Sequence, residues 1–176
     1  NIAGTHGKTT TTSMVTEILL AADTDPTISV GGILPTIGGN IRVGGSNLFV
    51  TEACEYTNSF LSFFPKISII LNMDADHLDF FKDIDDIRHS FRRFAELLPA
   101  DGTLIINADT PKYEDIIRDL PCNVITYGLE HDADYQAADI TYDKYGHASF
   151  SVLRNGVKVG SYYLKVPGIH LSLIHI

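Results

Sequence analysis

Seven residues near the start of the chain, Gly4-Thr5-His6-Gly7-Lys8-Thr9-Thr10, restrict the fold more than anything else in it. Glycines at 4 and 7, followed by Lys-Thr at the head of an apolar-periodic segment, describe a loop that turns tightly and feeds a helix. Such a loop suits a polyphosphate. A phosphate chain needs backbone N–H groups aimed at it, an approach free of Cβ atoms, and a cation. Gly4 and Gly7 allow the turn, the helix start supplies amides and the positive end of its dipole, and Lys8 supplies charge. Thr9 stands directly behind the lysine, where a phosphate loop places its Mg²⁺-binding hydroxyl. The stretch falls short of the full G-x-x-x-x-G-K-[ST] pattern because position 2 is Ile. The competing reading is a glycine turn capping an ordinary helix, although Gly-Lys-Thr at a helix start behind another glycine is seldom accidental.

The rest of the chain alternates in a way that suits this opening. Residues 7–22 read as a helix with Met14, Ile18, Leu19 and Ala22 on one face. Its threonine-rich start has low helix propensity, so the hydroxyls have another task. Residues 27–30 read as a strand entering a glycine-rich stretch, 31–45, that is loop or irregular hairpin. Residues 47–51 and 66–71 are short, β-branched apolar runs, the pattern of buried strands. The strongest helix is 83–98, where Ile84, Ile87, Phe91, Phe94 and Leu98 form a stripe, Asp83, Asp85 and Asp86 crowd the N-terminus, and Pro99 follows. Then come a strand at 103–107, a helix at 110–120 opened by Thr110 as cap with Pro111 behind it, and a strand at 123–127. Strands alternating with helices predict an α/β domain, P-loop NTPase-like and doubly wound, on a mostly parallel sheet. From about Asp134 the texture changes. Residues 137–142, 147–154 and 157–165 read as strands, with Asn155-Gly156 a hairpin turn, so a small antiparallel β appendage is expected near the C-terminus.

Composition narrows the function classes. At 176 residues, 44% hydrophobic and 20% charged, the chain is one domain with a real core and is too apolar for disorder. Asp+Glu 22 against Lys+Arg 13 leaves a net charge of −9, which argues against a binder of nucleic acid or of a membrane surface. Cys54 and Cys122 cannot form a disulfide framework or a four-thiolate zinc site, so a reducing cytosol is expected. Apolar runs such as 67–71 fall far short of the ~20 residues that span a bilayer, and no secretory signal opens the chain. Both ends look cut, which reads as a piece of a longer protein. The oligomeric state is left open.

If Thr9 holds a magnesium, further ligands belong at the C-terminal ends of neighbouring strands, where ligands bind in open α/β sheets. Glu52 directly follows the strand at 47–51, and His77 lies just past the strand at 66–71 in Asn72-Met73-Asp74-Ala75-Asp76-His77-Leu78-Asp79. Each alone could be a solvated charge. Their shared placement with the phosphate loop favours a metal role.

Three stretches together, Gly4 through Thr12, Glu52-Ala53-Cys54-Glu55-Tyr56 with Ser59-Phe60-Leu61, and Asn72 through Asp79, resemble the ATP-dependent Mur ligases of bacterial cell-wall synthesis. The likeness runs from the first residues to Gly168-Ile169-His170 and implies the family's central ATP-binding domain over 1–170, truncated at both ends, with 171–176 an unmatched tail. It implies a ligase acting on UDP-N-acetylmuramate, with ATP and Mg²⁺ and with L-alanine as second substrate. The muramate carboxylate is phosphorylated, and an amine attacks the acyl phosphate. Ser59-Phe60-Leu61 and Asp76-His77-Leu78-Asp79 fit addition of L-alanine better than addition of a whole peptide.

By the resemblance, Gly4, Thr5, His6, Gly7, Lys8, Thr9 and Thr10 surround the nucleotide, the His6 ring itself packing or meeting solvent. Thr9 and Glu52 would hold one Mg²⁺ and His77 a second, with Lys8, Glu52 and His77 carrying the catalysis. Asn40, Arg42 and Glu55 are candidates for the substrate side. Cys54 stands where the family usually has Asp and reads as a buried, inert thiol. Leu171 stands where an adenine-reading Asn is usual, which leaves His170 an orphaned remnant. His89, His131, His147 and His175 receive no role. Two other classes stay open: a P-loop ATPase or kinase without amide formation, and a nucleotide-binding module without turnover, the expected state of the isolated fragment.

Overall fold

Strand β1 (Ile2–Ala3) is short and wholly buried, and it delivers the chain into helix α1 (Lys8–Ala21) through the glycine loop. The structure is a computed structural model that describes residues 1–167. Segment 168–176 lies outside the described residues, and with it the expectations for His170, His175 and the tail.

After α1 come β2 (Thr27–Leu34), a 3₁₀ turn (Pro35–Ile37), β3 (Gly39–Arg42), β4 (Phe49–Thr51), a second 3₁₀ segment (Tyr56–Ser62) and β5 (Ile67–Ile70). Helix α2 (Ile84–Ala95), β6 (Thr103–Asn107), α3 (Tyr113–Ile117), β7 (Asn123–Gly128), β8 (Tyr135–Tyr142), β9 (His147–Arg154) and β10 (Val157–Pro167) complete the described chain. One sheet runs β1-β5-β6-β7-β8-β9-β10, parallel as far as β8 and antiparallel beyond. A smaller sheet runs β3-β2-β4, with β2 and β4 parallel and β3 antiparallel. The two meet where Ile2 bridges Glu52 and the Ala53 amide donates to the Ile2 carbonyl at 2.8 Å, so β4 lies against β1. This is the expected mostly parallel α/β sheet with antiparallel strands near its C-terminal end.

The centre of that sheet has no polar face to offer water. Ala3, Ile70, Leu104 and Ile106 are buried, as strands covered on both sides require. Helix α2 covers them with the predicted stripe, Ile87, Phe91 and Phe94 being buried; the helix ends at Ala95, short of the expected 98, and Leu98 is buried just past it. Phe60 stacks on Phe94 with centroids 4.7 Å apart and meets Phe91 edge-on. Asp83 caps the helix by accepting from the Asp86 amide. At the other end the Asn155-Gly156 turn has both residues at positive φ, 48° and 76°, which is the predicted hairpin.

Two expectations change. In α1 the buried residues are Thr11, Thr12 and Thr16, while Ile18 is 55% exposed, so the proposed face of Met14, Ile18, Leu19 and Ala22 does not pack as one stripe. Met14 packs towards Ala148 and Phe150, and Leu19 towards Ile2 and Val50, because the helix crosses two clusters. The 110–120 helix shrinks to Tyr113–Ile117. Lys112, at φ 63°, precedes it, and Thr110 is a buried turn residue whose carbonyl accepts from Tyr113, not a cap. The glycine-rich stretch takes the second of its two expected forms, an irregular hairpin, with β2 continuing through Gly31 and Gly32 to Leu34.

A carboxylate also shapes the turn after β7. Asp109 accepts from the amides of Leu129, Glu130 and His131. Burial alone would raise its pKa, but these N–H groups and His131 hold it below the ordinary 3.8.

Candidate nucleotide site

The glycine loop is pressed against the end of β5. At Gly4, φ is 146° and an added Cβ would stand 2.9 Å from the Leu71 Cβ, so only glycine lets the loop leave β1 here. The Thr5 amide donates to the Asn72 carbonyl at 3.2 Å and the His6 amide to Asn72 Oδ1 at 2.8 Å. Asn72 Nδ2 returns a bond to the His6 carbonyl, and the Asp74 amide donates to Thr5 Oγ1 at 3.0 Å. The acidic loop that follows β5 is therefore stitched to the glycine loop by side chains as well as backbone. Gly7 then adopts the left-handed conformation, and α1 starts behind it with no side-chain cap and no acid in its first turn.

Around that bare helix start the polar groups converge. The Lys8 ammonium donates to the Gly4 and Thr5 carbonyls and to both oxygens of Glu55, at 3.1 and 3.4 Å. Thr9 Oγ1 donates to Glu52 Oε2 at 3.1 Å, and the other Glu52 oxygen accepts from the Gly31 amide. A Cβ at Gly31 would come within 2.8 Å of Glu52 Oε2, so β2 is stripped of side chain where this carboxylate lies. Strand end, helix start and neighbouring strand thus place a hydroxyl and a carboxylate side by side in front of the loop, and both are hard oxygen donors of the kind Mg²⁺ takes.

His77 is held differently. It sits at φ 52° in the acidic loop, its amide donating to Asp76 Oδ1, and its ring lies 4.6 Å from that of Tyr56. Tyr56 in turn donates to Asp79 Oδ2 at 2.7 Å, and that hydrogen bond, with the Asp79 charge, raises the phenol pKa. Among the described residues the imidazole makes no hydrogen bond to Thr9 or Glu52, and no group of three or more His, Cys, Asp and Glu is placed to hold a metal. Among the described residues His77 packs on Tyr56, the sequence neighbour of Glu55.

The substrate-side candidates fall in two places. Asn40 and Arg42 are on β3, where Arg42 donates to the Pro26 carbonyl at 2.8 Å and pairs with Asp25, bracing the hairpin. Glu55 is only 2% exposed and faces Lys8. Cys54 corrects an expectation: it is exposed, not buried. Leaving β4 the chain alternates, with Ala53 and Glu55 turned inward and Cys54 between them turned out. The sequence alone specifies neither the Lys8–Glu55 pair nor the Asn72 clasp. A second acid three residues past Glu52 and an Asn heading the acidic loop were the available signals, and neither specifies a partner.

The sequence matches the Mur ligase middle domain over residues 2–172. It is 66% identical over 171 residues to the UDP-N-acetylmuramate–L-alanine ligase of Lachnospira eligens, covering 97% of this chain and 37% of that protein. The UDP-N-acetylmuramate–L-alanine ligase of Agathobacter rectalis is 59% identical, with 96% and 37% covered. The crystal structure of UDP-N-acetylmuramate–alanine ligase from Thermotoga maritima superposes with a TM-score of 0.83 at 27% identity, over 98% of this chain and 38% of that one. The chain thus spans a little over a third of the curated relatives it matches. Among the described residues no helix is long and apolar enough to cross a membrane. On the family match and on these relatives, the chain belongs to the Mur ligase family.

Proposed function

We propose that this chain is the nucleotide-binding part of an ATP-dependent ligase that joins L-alanine to the lactyl carboxylate of UDP-N-acetylmuramate, a cytoplasmic step of peptidoglycan synthesis. The observation that carries it is the 3.1 Å contact between Thr9 and Glu52 in front of an uncapped helix start, with Lys8 beside it. In this reading the γ-phosphoryl group passes to the carboxylate, the bond to the β-phosphate oxygen breaks, and ADP leaves an acyl phosphate. The alanine amine then attacks the acyl carbon, and the tetrahedral intermediate expels inorganic phosphate to leave the amide. Both reactants of the first step are anionic, so positive charge and amide donors must meet them. The loop from Gly4 to Thr10 supplies the donors and Lys8 the charge. Thr9 and Glu52 would hold Mg²⁺, which neutralises phosphate charge when bound. His77 would serve a second Mg²⁺.

The alanine enzyme is favoured over the peptide-adding sibling by the 66% and 59% identities. Fold does not separate them, since the UDP-N-acetylmuramate:L-alanyl-gamma-D-glutamyl-meso-diaminopimelate ligase from Neisseria meningitides superposes with a TM-score of 0.86, at 28% identity over 98% of this chain and 57% of that one. The substrates of the reaction are shared with segments beyond this chain, and orientation within about an ångström governs such transfers, so the fragment alone should bind Mg·ATP and turn over poorly. The test uses the full-length enzyme, with L-alanine and the tripeptide as competing amines and phosphate release measured with and without the muramate substrate. Preference for the tripeptide would reassign the substrate. Phosphate release indifferent to the muramate would make the protein a plain ATPase. His77→Ala should spare Mg·ATP binding while lowering ligation on the order of 10²-fold; unchanged ligation removes the second-metal role.

A further inference from the structure

Glu55 is the most deeply buried ionised side chain described, at 2% exposure, and its carboxylate has one partner among the described residues, the Lys8 ammonium. A buried carboxylate without a counter-charge is strongly unfavourable, so Lys8 cannot leave Glu55 to follow a phosphate. The ammonium has three N–H donors, and they already serve the Gly4 carbonyl, the Thr5 carbonyl and Glu55. An arriving phosphate must therefore displace one of them. The longest contact to a single partner is to the Thr5 carbonyl, at 3.3 Å, and that oxygen belongs to a loop whose other bonds to Asn72 and Asp74 hold it without the lysine. Glu52, by contrast, is partly exposed and bonded to Gly31 and Thr9, and carries no comparable obligation.

We propose that Glu55 is a positioning residue for phosphoryl transfer: it anchors the Lys8 ammonium from below the glycine loop, stays paired when nucleotide binds, and so fixes where the positive charge stands. The inference rests on the nucleotide-site reading above and goes past it, because it assigns Glu55 to the lysine and not to the substrate. Lys8 exchanges the Thr5 carbonyl for a phosphate oxygen and keeps its other two contacts. The side chain is thereby held before nucleotide arrives, and its rotamer freedom is already spent. Removing the anchor leaves a lysine that still attracts phosphate but no longer stands in one place. That loss falls on the transfer step more than on binding.

The experiment is a double-mutant cycle in the full-length enzyme, with Lys8→Gln, Glu55→Gln and the pair, reading Mg·ATP affinity by calorimetric titration and kcat by ligation. Glu55→Gln should lower kcat about 10²-fold and change the Mg·ATP Kd by less than about threefold. In the Lys8→Gln background the same substitution should cost no more than about threefold further in kcat, because Glu55 acts through Lys8. Glu55→Asp, with its charge kept and its reach shortened, should recover part of the lost kcat. Full and independent losses in the two backgrounds would overturn the proposal, as would a Glu55→Gln enzyme that binds Mg·ATP more tightly at unchanged kcat. If Glu55→Gln does not fold, Glu55→Asp takes its place in the cycle, and wild-type kcat for that variant overturns the proposal. A Lys8→Gln enzyme with unchanged Mg·ATP affinity and kcat would instead remove the nucleotide-site reading itself.

Discussion

Helices α1 and α2 flank one sheet and obey opposite local rules. Helix α2 is capped by Asp83, carries Asp85 and Asp86 in its first turn and Arg92 and Arg93 in its last, and buries Ile87, Phe91 and Phe94. Its own side chains neutralise both ends of its dipole. Helix α1 follows a left-handed Gly7, has no side-chain cap, no acid in its first turn and no base in its last, and buries threonines. The Thr12 and Thr16 hydroxyls are buried with no hydrogen-bond partner among the described residues. Helix α2 is built for stability, whereas α1 leaves its positive end free for something from outside. Local rules broken together in one element are what the proposed nucleotide site would require of α1.

The largest effect that would sharpen this division lies on α2. Phe91 is fully buried against Phe60, so Phe91→Ala should cost about 3–5 kcal/mol. Urea unfolding measures it, and the folded fraction should keep its Mg·ATP affinity. Next comes Asp83→Ala, which removes the cap and should cost about 1 kcal/mol, a fall in Tm of roughly 2–4 °C for a chain of this size. Calorimetric titration should show Mg·ATP binding unchanged. A changed affinity in this second variant would break the comparison, because α2 would then be contributing to the site.

The same contrast explains what could be read from the residues alone. Helix α2 was legible because the stripe from Ile84 to Leu98 and the acids around Asp83 repeat one message at every level. The strands at β6 and β9 were equally plain. Helix α1 misled in its packing, since apolar periodicity pointed to Ile18, which is 55% exposed, while the residues the helix buries are Thr11, Thr12 and Thr16. The glycine loop was legible as a turn into a helix because glycine at 4 and 7 and Lys-Thr behind them leave few other structures open, and the proposed phosphate chemistry rests on the same residues. The Lys8–Glu55 pair was not, because a side-chain contact spanning 47 positions depends on how β4 seats against β1. The same holds for Cys54, which is exposed between buried Ala53 and Glu55 three residues past the end of β4.

The smallest effect on stability separates the two helices best. Thr10 is the third residue of α1 and half-buried, at a position where an acid favours an ordinary helix. Thr10→Asp should therefore stabilise the unliganded protein by about 0.3–1 kcal/mol, as the acids of α2 do for their own helix. The same carboxylate would stand where the positive end of α1 faces phosphate, so Mg·ATP affinity should fall at least about tenfold. The loss should deepen as ionic strength is lowered, because the repulsion is screened by salt. Thr10→Asn, equal in shape and uncharged, should retain affinity, which assigns the loss to charge and not to bulk. A variant that is more stable and binds more weakly is the signature of a helix end kept empty for its ligand. If Thr10→Asp binds Mg·ATP as tightly as the wild type at low salt, the bare start of α1 is only a poorly capped helix.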